Sequence, residues 1–88
     1  MVTSTNNVNL QVQAKNIRFE GNTLHIALSD GREMSLPLNQ FEWLNWLANA
    51  TLEQRTKWTI EPNGFAIYWD ELDDGIEIEH LLSVQPLG

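Results

Sequence analysis

Apolar residues at every second position, punctuated by glycine turns, restrict the first third of this chain to antiparallel β-structure. Leu24, Ile26 and Leu28 alternate with His25 and Ala27, the signature of a strand with one buried face. Ser29-Asp30-Gly31 follows, and Asp-Gly supplies the positive φ angles that a tight hairpin demands. Met34 and Leu36 mark the returning strand, which should stop near Pro37 because proline cannot donate a ladder hydrogen bond. Upstream, Leu10, Val12 and Ala14 alternate in one phase and Ile17 and Phe19 in the other. A bulge or turn near Lys15-Asn16 would reconcile the two, and Glu20-Gly21-Asn22 reads as a turn.

From Leu38 the period changes to that of a helix. Phe41, Trp43, Leu44, Leu47 and Ala48 fall on one side at about 100° per residue, which predicts one main helix. Trp46 lies toward the polar arc with Glu42, Asn45 and Asn49, so it is expected at the rim or exposed. Thr51 with Gln54 three residues later fits a capping box, and the helix should break near Asn49-Ala50 and restart. Trp58 and Ile60 then alternate as a strand, Pro62-Asn63-Gly64 makes a hairpin turn, and Phe65, Ile67 and Trp69 form the core side of the returning strand. Tyr68, between them, faces the other way. After a loop over 70–75 come a brief Ile76-Ile78 alternation and a short C-terminal helical turn, Glu79-His80-Leu81-Leu82. The expected fold is α+β, a two-layer domain of antiparallel β-hairpins packed on one main helix.

With 88 residues, one core is all the chain can build. The polar run Met1–Asn9 reads as a flexible N-terminal tail, leaving 10–88 as a single α+β domain. No cysteine is present, which excludes disulfides and thiolate metal sites and makes the cytoplasm the default compartment. No apolar run is long enough for a bilayer, and the N-terminus lacks the basic start and apolar stretch of a signal peptide.

Twelve acidic against five basic side chains leave a net charge of -7, and the five cations are scattered. That balance disfavours direct nucleic-acid binding. Asp70, Glu71, Asp73, Asp74, Glu77 and Glu79 crowd into ten positions, a distribution that suits a basic protein partner. As a calcium loop this segment fails, because starting at Asp70 the third position is Leu72 and the twelfth is Leu81. His25 and His80 are far apart and lack partners at ligand spacing. No phosphate loop or nucleophile elbow occurs, so no catalytic residue, metal ligand or cofactor is assigned. The expected activity is a non-enzymatic protein-binding module, with Trp46, Tyr68, Asp70, Glu71, Asp73, Asp74 and Glu77 as candidate contact residues. The alternative is a small-ligand or divalent-metal-dependent enzyme using Asp70, Asp73 and Asp74. An exposed strand edge or the Trp46 patch could also bury itself in a homodimer.

Ser29-Asp30-Gly31-Arg32, Leu36-Pro37-Leu38, the run Ala50-Thr51-Leu52-Glu53-Gln54-Arg55 and Trp58 together resemble the bacterial domain of unknown function 2442. Gly64, Ile67, Trp69, Leu72, Asp73 and the Glu79-His80-Leu81-Leu82 ending extend the resemblance, which covers about Ile17 to Leu82. The family commonly has proline after the positions of Phe41 and Trp69, where this chain has Glu42 and Asp70. The resemblance implies a compact α+β fold and carries no established activity. Some relatives resemble a sensor or adaptor joined to a helix-turn-helix domain, and others look like one half of a toxin–antitoxin pair. An adaptor or antitoxin-like role is therefore the expectation.

Overall fold

The computed structural model describes residues 12–84. Strands β1 (Ala14–Glu20), β2 (Thr23–Leu28) and β3 (Glu33–Pro37) form one antiparallel sheet in the order β1-β2-β3. Strands β4 (Trp58–Ile60), β5 (Ala66–Trp69) and β6 (Asp74–Glu77) form a second, also antiparallel, in the order β4-β5-β6. Between the sheets in sequence lie two 3₁₀ turns and two one-turn helices, α1 (Asn45–Ala48) and α2 (Leu52–Arg55), and α3 (Ile78–Val84) follows β6. One buried cluster joins both sheets, the two 3₁₀ turns, α1 and α3, from Ala14 and Ile17 through Leu24, Ile26, Leu36 and Leu44 to Ile67, Trp69 and Leu81, and β4 packs against it. The fold is α+β.

Period-two patterning is realised in the first sheet. Leu24, Ile26, Leu28, Met34 and Leu36 are buried while their neighbours face outward. The pairing shifts register between Ala14↔Leu28 and Asn16↔Ala27, so Lys15 is the extra residue of a bulge. This lets both Ala14 and Ile17 reach the core although three positions separate them. The N-terminal tail and Leu10 lie outside the described residues.

The single main helix is not what forms. Residues 38–48 make a 3₁₀ turn at Leu38–Gln40, an extended Phe41 (φ -128°, ψ 119°), a second 3₁₀ turn at Glu42–Leu44, and then α1. The reason is geometric: six residues apart on a continuous α-helix, Leu38 and Leu44 would point about 120° away from each other. Both are completely buried, as is Leu47, and the extended Phe41 resets the phase so that all three enter one core. Glu42 and Asp70 each open a 3₁₀ turn behind an extended residue, the setting in which a proline is accommodated. The turn geometry is therefore kept where the chain departs from the family's proline.

Three further expectations are corrected. The second half is a three-stranded sheet, because Asp73 in the left-handed conformation (φ 52°) turns the chain and Asp74–Glu77 pairs with β5. The closing helix is longer than one turn and begins at Ile78 rather than Glu79. Phe65 is 38 % exposed instead of being core. Gly64 (φ 73°) bends the backbone just before it, so β5 begins only at Ala66. A Cβ at Gly64 would sit 2.8 Å from Gln13 Cβ, because the Gly64 carbonyl accepts the Ala14 N–H at 2.6 Å and ties the two sheets together.

The capping box forms as expected. Thr51 Oγ1 accepts the Gln54 N–H at 3.0 Å and Gln54 Oε1 accepts the Thr51 N–H at 3.0 Å. Thr51→Ala removes one of these bonds and frees an orphan helix donor, and should lower stability by about 1 kcal/mol. A urea melt with an unchanged slope and a lower midpoint is the expected result.

Candidate functional site

Alternation along β5 sends Ile67 and Trp69 into the core and leaves Ala66 and Tyr68 on the opposite face. Gly75 of β6 is paired with Tyr68. A Cβ at Gly75 would lie 2.6 Å from the Ile67 carbonyl oxygen and 2.9 Å from Tyr68 Cδ1, so the tyrosine ring lies over a position only glycine can occupy. The Tyr68 hydroxyl donates to Asp73 Oδ1 at 2.6 Å. Asp73 adopts the left-handed conformation that aspartate tolerates better than most residues, and its N–H donates to the Asp70 carbonyl at 3.1 Å. Asp74 Oδ1 accepts the N–H of Gly75 at 2.8 Å.

The Asp73 hydrogen bond, followed by desolvation and the charges of Asp73, Asp70 and Asp74, pushes the Tyr68 phenol up to about 12. A raised folded value means that this contact stabilises the fold fully below the unfolded value near 10. Its contribution disappears as pH rises through about 12. Because Tyr68 is the only tyrosine, phenolate absorbance reports it alone. The expected titration lies well above that of the urea-unfolded chain, and Asp73→Asn should move it back down.

The charges of the two halves are organised differently. Up to Lys57, five acids and five bases cancel; after it come seven acids and no Lys or Arg. On the first sheet the pairs are internal: Arg18 bridges Glu20 and Glu33, Arg32 holds Asp30 at 2.6 Å, and His25 lies between Ser35 Oγ (2.8 Å) and Glu20 (3.2 Å). Lys57 holds Glu71 at 3.0 Å and approaches Glu53 at 3.7 Å. Arg55 is buried under carbonyl groups. Among the described residues no cation pairs with Glu61, Asp70, Asp73, Asp74, Glu77 or Glu79.

A groove of about 580 Å³ opens beside Tyr68, with Glu61, Asp74, Gly75, Glu77, Trp43 and His80 on its wall. The geometry thus gathers Tyr68, Asp74 and Glu77, with Asp73 bonded to the tyrosine and Asp70 opening the same turn. Glu71 is held by Lys57 instead. Trp46 does not join them. Its ring packs edge-on against Trp69 with centroids 5.6 Å apart, its Nε1–H donates to the Trp43 carbonyl at 2.9 Å, and it is half-buried on the core side of the sheet. Trp43 stands at the groove in its place, in a T-shaped contact with His80 at 5.1 Å. Its position follows from the phase reset at Phe41, which no local sequence signal announces. Glu61 and His80 likewise enter the groove only through tertiary packing. Among the described residues, no three His, Cys, Asp or Glu side chains, Asp70, Asp73 and Asp74 included, gather in a way that could hold an ion.

The structure thus defines a small α+β domain whose first sheet pairs its charges internally and whose second sheet and closing helix carry carboxylates that, Glu71 apart, no cation pairs with among the described residues. The chain belongs to the family of proteins of unknown function DUF2442, whose model matches residues 14–84. It is similar in fold to a protein of unknown function from Rhodospirillum rubrum, with a TM-score of 0.70 and 18% identity over 84% of this chain and 88% of that one. An uncharacterised protein from Chromobacterium violaceum is similar at a TM-score of 0.67 and 18% identity, covering 86% of this chain and 69% of that one. No curated protein matches the chain. No helix among the described residues is long and apolar enough to cross a membrane.

Proposed function

We propose that this chain is a protein-binding module that docks a basic protein on the outer face of the β4-β5-β6 sheet, in an adaptor or antitoxin-like role in the bacterial cytoplasm. The observation that carries this reading is charge segregation: the whole net charge of -7 lies after Lys57, on carboxylates that, among the described residues, no Lys or Arg pairs with except at Glu71. Such a face steers a basic partner toward itself and discourages a phosphate backbone. Tyr68, Asp70, Asp73, Asp74 and Glu77 belong to the docking face, while Glu71 is held by Lys57 and Trp46 packs on Trp69 away from it.

The test is capture of the native partner from cell extract on the full chain and on a Glu61→Gln/Asp74→Asn/Glu77→Gln variant. A stoichiometric basic protein, released by salt and retained poorly by the variant, is the expected result. A partner held equally by both chains would overturn the assignment of the face.

A further inference from the structure

We infer that the groove beside Tyr68 binds a guanidinium group, so that an arginine side chain is the part of the basic partner seated there. The inference rests on the proposed docking function and names its ligand chemistry. The groove's volume of about 580 Å³ falls within the range of small-ligand sites, ~300–1,000 Å³. Its wall combines the aromatic rings of Trp43 and Tyr68 and the His80 imidazole with the carboxylates Glu61, Asp74 and Glu77. Ring faces attract cations through their quadrupole and carboxylates attract them through charge, whereas an anion is repelled by both. Among the described residues no Lys or Arg lines the groove, and His80 packs against Trp43 there, which leaves the carboxylates and the Tyr68 ring to an external cation.

The form of the cation follows from the carboxylates not converging on one point. A divalent metal requires several oxygens converging on one point. The described residues offer no such group, and one oxygen of Asp74 already accepts the Gly75 N–H. A guanidinium is planar, stacks on aromatic rings and spreads its five N–H donors, which suits carboxylates distributed along a wall. An ammonium concentrates its charge at one point and stacks less well. The tyrosine wall is also prearranged, its hydroxyl held by Asp73 and its ring lying over Gly75, so little ordering is required on binding.

The experiment titrates the full-length chain with three short synthetic peptides identical except for a central arginine, lysine or citrulline, followed by calorimetry and amide and indole NMR shifts. The arginine peptide is expected to bind tightest and the neutral citrulline twin weakest, with the shifts centred on Trp43, Tyr68 and Gly75. Tyr68→Leu should weaken the arginine peptide roughly 2- to 30-fold. Exposed Glu77→Gln, which cannot disturb the core, should weaken it and lessen its salt dependence. An arginine peptide that binds no better than its citrulline twin, or that ignores both substitutions, overturns the inference. If the native partner still depends on Glu61, Asp74 and Glu77 in that case, the docking face stands and only the guanidinium groove falls. If it ignores those carboxylates, both readings fall.

Discussion

Trp69→Ala should lower the stability of this protein by about 3–5 kcal/mol, a large part of the roughly 5–15 kcal/mol that holds an ordinary domain together. Trp69 is completely buried and is the largest side chain in the core. Its ring receives the edge of Trp46, and its Nε1–H donates to the Arg55 carbonyl at 3.0 Å, so it joins the second sheet to both short helices. In so small a core few neighbours can move into the space the indole leaves. Chemical denaturation should show a much lower midpoint and loss of the near-ultraviolet dichroism of the packed tryptophans. A midpoint within the effect of an ordinary surface substitution would mean that Trp69 is not the centre of the core.

Arg55→Met should cost about 2–4 kcal/mol, although it removes a buried charge. Arg55 is only 4 % exposed and has no carboxylate partner among the described residues. Its guanidinium instead caps carbonyl groups: Nε donates to Leu47 at 3.2 Å, one terminal nitrogen to Ala48 at 2.9 Å and the other to Gly21 at 3.4 Å. It also lies over the Phe19 ring at 5.8 Å. The Leu47 and Ala48 carbonyls belong to the end of α1, where Leu47 also accepts the Ala50 N–H at 3.1 Å and Ala48 relies on the guanidinium. Methionine fills the volume but removes all three donors and leaves the buried Ala48 carbonyl without the one it has. Arg55→Lys should recover only part of the loss, because one ammonium cannot span three separated carbonyls. Since Trp69 bonds the Arg55 carbonyl, the double variant should lose less than the two single losses added together. Urea melts of the four proteins measure this coupling directly.

These two residues also mark where sequence reading ended. Trp69 was legible as core because it shares a strand phase with Ile67, and the opposite facing of Tyr68 followed from the same period. Arg55 was not legible, since a single basic residue in a polar helical turn normally reads as solvated. Only the approach of Gly21 and Phe19 from the first sheet buries it. The acidic segment was visible as composition, yet its division into a tyrosine-bound Asp73, a lysine-bound Glu71 and a strand containing Asp74 and Glu77 depended on the turn at Asp73.

Local chemistry determined the elements whose cause lies within a few residues. The Asp30-Gly31 hairpin, the bulge at Lys15, the stop at Pro37 and the Thr51 capping box follow from backbone φ preferences, side-chain alternation and nearby hydrogen bonds. Tertiary structure alone decided the breaks in the 38–48 segment, the third strand of the second sheet and the company of Tyr68 in its groove. In those places the outcome was chosen by which arrangement buries Leu38, Leu44, Leu47 and Ile76 together, a condition that no short stretch of sequence contains.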